Sequence, residues 1–189
     1  MDIRPERRED ARSVGRVHRA SFGDRGEVVA DLVDDLRQLV TSETGLSYVA
    51  VDNSDVVAHV LFTPAVLDTP RELVGVQVLS PLAVLPAFQG TGIGSALVST
   101  GIQMMASRSV PVVFLEGDPR YYSRFGFRAG DDQLFRRPSL RIPKLAFQAL
   151  TLPSYESWMT GTLVYPDAFW HHDAVGLREP DLTRTGPWE

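Results

Sequence analysis

The chain of 189 residues contains no cysteine. This one absence removes disulfide bonds, a thiolate zinc site and a cysteine nucleophile, so any chemistry must come from oxygen and nitrogen groups, and no oxidising compartment is required. Nor is there an apolar run near the roughly eighteen residues of a membrane span. The opening residues, Met1-Asp-Ile-Arg-Pro-Glu-Arg-Arg-Glu-Asp10, are charged where a secretion signal has its apolar centre, so the expected location is cytoplasmic, with no membrane partner. Lysine occurs once, at Lys144, and the positive charge is otherwise arginine. A net charge of −5 argues against nucleic acid as a partner and suits attraction of a cationic amine. What remains is a globular composition, 43% hydrophobic, with no repeat or low-complexity stretch and enough length for one domain and an extension.

Along the chain, a short strand at residues 2–4 precedes a helix whose Ala11, Val14, Val17, Ser21 and Phe22 recur at helical spacing. Gly23-Asp-Arg-Gly26 breaks it. A second helix places Val29, Leu32, Val33, Leu36 and Val40 on one face. Residues 46–51 and 56–62 read as a hairpin turning at Asp52-Asn-Ser-Asp55, and 74–85 as a long buried strand. The next helix carries Ile93, Ala96, Leu97, Thr100, Gly101 and Met104 on one stripe, with the Met104-Met105 pair as core filler. Residues 110–115 form a strand covered on both sides, Asp118-Pro119 caps a brief helix, Gly126 ends it and Phe127 begins another strand. Residues 145–152 and 161–165 are two further strands that extend the sheet, and the polar end beyond Trp170 is expected to be mobile.

The stretch at residues 76–95 carries the chemistry. A β-branched strand is stopped by Pro86, and a turn with glycines at 90, 92 and 94 opens a helix near Ile93. Glycines let a ligand approach the backbone, and the free N–H groups of a first helical turn face it with the positive end of the dipole behind them. Strand, glycine turn and helix make an anion site, with phosphate as its natural guest. A P-loop would need lysine and a hydroxyl after the last glycine, and here Ser95-Ala96 follows Gly94. A dinucleotide fingerprint would match Gly90 and Gly92 but has Ser95 in place of its third glycine, and Pro86-Ala-Phe-Gln89 separates strand from turn. A nicotinamide-dependent oxidoreductase is therefore a poor fit.

The pattern Gln89-x-x-Gly92-x-Gly94 after Leu82-Ala-Val-x-Pro86 resembles the pyrophosphate loop of the GNAT superfamily of acyl-CoA-dependent N-acetyltransferases. Tyr121-Tyr-Ser-Arg-Phe-Gly-Phe127 resembles the helix, turn and strand of the same superfamily, in which a tyrosine four residues before the glycine faces the CoA sulfur. A bacterial branch, the YhbS type, is similar in the run from Gly117 to Phe127 and in a tail ending Tyr165-Pro-Asp-Ala-Phe169. The resemblance implies an α/β (α+β) fold, a mixed central sheet flanked by helices in the order β-α-α-β-β-β-α-β-α-β. Residues 1–130 are then the acetyltransferase core, 131–170 a C-terminal β extension packed on it, and 171–189 the mobile end.

It also implies acetyl-CoA as acyl donor, an amine-bearing small molecule or protein as acceptor, and no metal; a homodimer is left open. Backbone at Leu82, Ala83 and Val84 would hold the pantetheine arm, and Gln89, Gly90, Thr91, Gly92, Ile93, Gly94 and Ser95 the diphosphate. Tyr122 is the candidate acid for the departing thiolate, against a packing role. Asp118 stands where many members bond pantetheine, against a helix cap. For the base, the long strand offers Gln77 and Ser80 but no carboxylate, leaving Glu116, with Glu27 as a weaker option, against a surface carboxylate of ordinary pKa. His59 is a proton-shuttle candidate, against hydrogen-bonded structure, and His171-His172-Asp173 reads as tail polarity rather than metal ligands. Arg120 and Arg124 are ribose-phosphate candidates or a solvated face, and Tyr155, Trp158, Tyr165, Phe169 and Trp170 close an acceptor pocket or pack the extension. With cysteine absent, direct transfer is expected, and its rival is a GNAT fold that senses acyl-CoA without turnover.

Overall fold

The computed structural model describes residues 1–178. Among the described residues nine strands and five α-helices succeed one another as β1 (Asp2–Pro5), α1 (Ala11–Ser21), α2 (Gly26–Arg37), β2 (Leu46–Asp52), β3 (Asp55–Asp68), β4 (Leu73–Val84), α3 (Ile93–Ser107), β5 (Val112–Glu116), α4 (Pro119–Tyr122), β6 (Arg128–Ala129), β7 (Phe135–Arg136), β8 (Phe147–Thr151), β9 (Gly161–Val164) and α5 (Asp167–His171). The chain forms two compact units, Met1–Pro64 with Leu79–Met104, and Ala65–Val78 with the chain from Met105 onward. No helix among the described residues is long and apolar enough to cross a membrane.

In the first unit β1, β2 and β3 form an antiparallel meander. Asn53 and Ser54, both at positive φ, make the two-residue turn that the polar run at 52–55 predicts. Val14, Val17, Val33, Val49, Val56 and Ala83 pack together, joining α1, α2 and the sheet. A Cβ on Gly26 would lie 2.4 Å from the Arg19 carbonyl oxygen, so glycine there lets α2 begin against α1. The expected stripe of α3 shifts: Val98 and Met105 are buried, whereas Ala96 is exposed and Met104 half-buried. Gly101 supports that face, because a Cβ there would fall 2.2 Å from the Phe62 ring.

In the second unit β4 pairs β5 in parallel at Gln77 and Val78, β8 pairs β5 and β6 antiparallel, and β9 pairs β3 antiparallel and β7 in parallel. The sheet is mixed and flanked by helices, as expected, and the two C-terminal strands extend it. Phe114 forms the centre of this core, 5.0 Å edge-on from Phe135 and 5.6 Å stacked from Phe147. Three further features differ from the sequence reading. β3 runs on through Pro64 to Asp68 instead of ending at Phe62. β7 and α5 were not expected, being two and five residues long and too short to show a period. Of the end expected to be mobile, residues 171–178 are held: Val175 is fully buried, and Leu177 N–H donates to the Arg141 carbonyl at 3.0 Å. The expectation for 179–189 lies outside the described residues.

Candidate active site

The glycine corner belongs to the first unit. β4 ends at Val84, Pro86–Phe88 make one 3₁₀ turn, and α3 starts at Ile93. Gly90 and Gly92 have φ of 75° and 89°, and nothing lies within 4 Å of where a Cβ would stand on either. They are needed for backbone handedness and leave open space above the turn. The first backbone bond of the helix runs from Ala96 N–H to Gly92 O at 3.0 Å. The amides of Gly94 and Ser95 before it donate to no backbone carbonyl among the described residues. Gln89 Nε2 donates to Val84 O at 3.0 Å and Thr91 Oγ1 to Phe88 O at 2.6 Å, fixing the loop by its own side chains. Ser21 Oγ also donates to Val84 O at 3.0 Å, tying α1 to the end of β4. Leu82 and Val84 are half-buried and Ala83 is buried. With amides free, no carboxylate between 85 and 96 and room above the glycines, this corner fits the diphosphate of an acyl-CoA.

The acid and base candidates lie in the second unit, on the turn from β5 into α4. Asp118 caps α4, its Oδ1 accepting from Arg120 N–H at 2.7 Å, with Pro119 at the first helical position. Its carboxylate is also held by the Arg120 guanidinium at 3.0 Å. Its side chain is therefore engaged within the turn. Tyr121 lies under the Arg124 guanidinium, 4.8 Å from its ring centre, and meets the Tyr122 ring edge-on at 4.9 Å. The Tyr122 ring lies against Gly117, where a Cβ would meet Cε2 at 2.5 Å, and edge-on to Phe127 at 5.9 Å. Its hydroxyl makes no hydrogen bond among the described residues, and burial pushes its pKa above the ordinary phenol value. Gly117 is held from both sides, its N–H on Ala146 O at 3.0 Å and its carbonyl on the buried Gln148 Nε2 at 2.9 Å.

Glu116 ends β5. Its Oε1 accepts from the Tyr165 hydroxyl at 2.9 Å and its Oε2 from Gly176 N–H at 3.0 Å. Burial raises its pKa from 4.5 to about 7, against the lowering effect of those two hydrogen bonds and of the Arg141 charge. It is thus neither a free surface carboxylate nor one of ordinary pKa. Sequence reasoning missed Tyr165 as a partner of this carboxylate and had no signal at all for Gly176.

The other candidates have structural partners. Glu27 is exposed and ion-paired to Arg19 at 2.6 Å. His59 is fully buried in a chain of polar groups within the first unit. Ser47 donates to Glu6, so Ser47 Oγ accepts from His59 Nε2 at 2.9 Å, and His59 Nδ1 must accept from His18 Nε2 at 2.8 Å. Arg37 closes the chain on Glu6 at 2.9 Å. Burial holds both histidines neutral, His18 with a pKa lowered to about 2 and His59 lowered as well. Asp173 pairs with Arg178 at 2.8 Å, and among the described residues no three His, Cys, Asp or Glu side chains are placed to hold a metal. Tyr165 stacks on Phe169 at 4.9 Å, Trp158 lies beneath Arg71 at 5.0 Å, Tyr155 meets Phe135 and Trp170 remains exposed.

Comparison with known proteins adds to this geometry. The family model described as Acetyltransferase (GNAT) domain matches residues 2–130, well over half of the chain. The chain belongs to the GNAT acetyltransferase family. Within that family it is 33% identical over 176 residues to the uncharacterized N-acetyltransferase YhbS of Escherichia coli, covering 89% of this chain and 98% of YhbS. The crystal structure of E. coli YhbS in complex with CoA superimposes with a TM-score of 0.77 at 30% identity, over 89% of this chain and 91% of that one. A GNAT acetyltransferase from Brucella melitensis, solved with acetyl-CoA, gives 0.69 at 30% identity over 89% and 97%. This GNAT protein is accordingly an acyltransferase of the YhbS-like branch.

Proposed function

We propose that this GNAT protein moves an acetyl group from acetyl-CoA to a primary amine by direct attack, without an acyl-enzyme. The observation that carries the reading is the corner at 90–95, where positive-φ glycines and free amides at the start of a fifteen-residue helix fit a diphosphate. Two of the related structures were solved with CoA or acetyl-CoA, which supports the same donor here. Backbone of Leu82, Ala83 and Val84 is assigned to the pantetheine arm, and Asp118, through its cap, to shaping the turn that carries Tyr122.

Transfer forms one N–C bond and breaks one C–S bond, and the proton leaving nitrogen must end on sulfur. Glu116 takes that proton: with a pKa of about 7 it is ionised in a large fraction near neutrality yet still basic enough to accept. Tyr122 serves the sulfur. Its raised pKa keeps the hydroxyl protonated, so it stabilises the departing thiolate as a hydrogen-bond donor, and solvent completes the proton balance. Thiol release from acetyl-CoA with putrescine, an aminoglycoside and a peptide N-terminus tests the proposal. Release that falls in Tyr122→Phe supports it, and no release with any amine leaves the reading of a non-catalytic acyl-CoA sensor, which the lack of a carboxylate on β4 favours.

A further inference from the structure

The matched acetyltransferase module stops at residue 130, yet the two groups that hold the Glu116 carboxylate come from residues 165 and 176. We propose that Tyr165 is a positioning residue for acyl transfer, fixing the carboxylate of Glu116 in the orientation from which it takes the amine's proton. This rests on the assignment of Glu116 as base under the proposed function.

The geometry is specific. β9 is pinned on both sides, to β3 through Val66 and Val164 and to β7 through Phe135 and Gly161, and Tyr165 follows directly from it. Tyr165 is 4% exposed and its ring is stacked on Phe169, so its hydroxyl has one direction to point and one acceptor there, Glu116 Oε1. The second oxygen is held by an amide that is equally fixed: Gly176 has a φ of 63°, and the Arg141 carbonyl carbon lies 2.5 Å from where its Cβ would be. With one donor on each oxygen the carboxylate cannot rotate, while each oxygen keeps a lone pair for a substrate proton. The groups facing it are the Tyr165 hydroxyl beyond β9, the Gly176 amide and, by its charge, Arg141 in the loop before β8. Arg141 is itself 3.5 Å from Asp173. Donors on both oxygens favour the ionised form against burial, which keeps the group poised near neutrality instead of permanently protonated.

The test compares wild type, Glu116→Gln and Tyr165→Phe in the full chain. Thiol release from acetyl-CoA with the fastest amine of the panel gives kcat/KM against pH, and NMR of carboxyl-labelled glutamate follows the Glu116 titration independently of turnover. Removing one neutral hydrogen bond to the carboxylate should move both the acid limb and the NMR midpoint upward by about one pH unit, with the alkaline plateau and the KM for acetyl-CoA retained. Tyr165→Phe that lowers the rate equally at every pH, with both midpoints unmoved, overturns the proposal and leaves the tyrosine a packing residue. Should Tyr165→Phe lose its folded NMR spectrum, Arg141→Gln replaces it: a smaller upward move supports the inference, and a fixed midpoint overturns the poised environment it requires. If Glu116→Gln keeps the acid limb of the wild type, the base assignment itself fails, whatever Tyr165→Phe shows.

Discussion

A carboxylate whose pKa rises on folding must make stability depend on pH, and Glu116 allows the size to be worked out. Its pKa is 4.5 in an unfolded chain and about 7 in the fold. Between those values the folded state binds more protons than the unfolded one, so this group's contribution to stability is greatest below 4.5 and is lost as pH rises through 7. The stability lost through this shift, relative to low pH, is about 0.8 kcal/mol at pH 5 and about 3.3 kcal/mol at pH 8, from the ratio of the two binding polynomials. Glu116→Gln removes the titration while keeping the shape. The Gln amide cannot satisfy both Tyr165 and Gly176 as the carboxylate does, so the variant loses some stability at every pH. That loss is constant, whereas the titration is not. Urea unfolding followed by far-ultraviolet circular dichroism at the two pH values gives the variant minus wild-type difference, in which all other groups cancel. That difference should become more favourable to the variant by about 2.5 kcal/mol from pH 5 to pH 8. A difference that stays constant within about 0.5 kcal/mol would show that Glu116 titrates as an ordinary surface carboxylate, and the case for it as base would go.

Other outcomes follow from the same geometry. Tyr122→Phe keeps the ring on Gly117 and removes only the hydroxyl, so kcat should drop by roughly 100-fold or more with the KM for acetyl-CoA little changed, as steady-state thiol release will show. Gly92→Val places a β-branched residue at a φ of 89° with open space around it; its main effect should be a raised KM for acetyl-CoA, with about 1–3 kcal/mol of strain seen in urea unfolding. Gly101→Ala drives a methyl into the Phe62 ring and should cost about 1–3 kcal/mol, recovered in part by Phe62→Leu in a double-mutant cycle. His18 has its pKa lowered from 6.5 to about 2 by burial, so the unfolded chain binds the extra proton and stability falls as pH drops below 6.5, by about 1.4 kcal/mol per unit from this residue. Urea titrations at pH 6.5 and pH 5 should find that slope reduced in His18→Gln.

Legibility in the sequence followed the range over which each feature is decided. The glycine corner, the capped turn at Asp118-Pro119 and the Asn53-Ser54 hairpin are local, set by residues within four positions of one another, and the sequence shows them with nearly the right bounds. β3 runs past residue 62, where the sequence reading ends it, and through Pro64, which has no N–H to donate, so tertiary pairing overrides local propensity there. The surroundings of Glu116 were not legible at all, since their partners lie 49 and 60 residues away and nothing in Gly176 announces an amide aimed at a carboxylate. The same holds for His18 and His59, which are 41 residues apart and readable singly only as an amphipathic-helix residue and a strand histidine.

The tie between Glu116 and Gly176 also orders events in time. During synthesis the strand ending at 116 emerges well before residues 165 and 176, and until those arrive its carboxylate meets water and holds its proton no more tightly than any glutamate. The nascent chain thus acquires a buried carboxylate held on both oxygens only when its far end has docked.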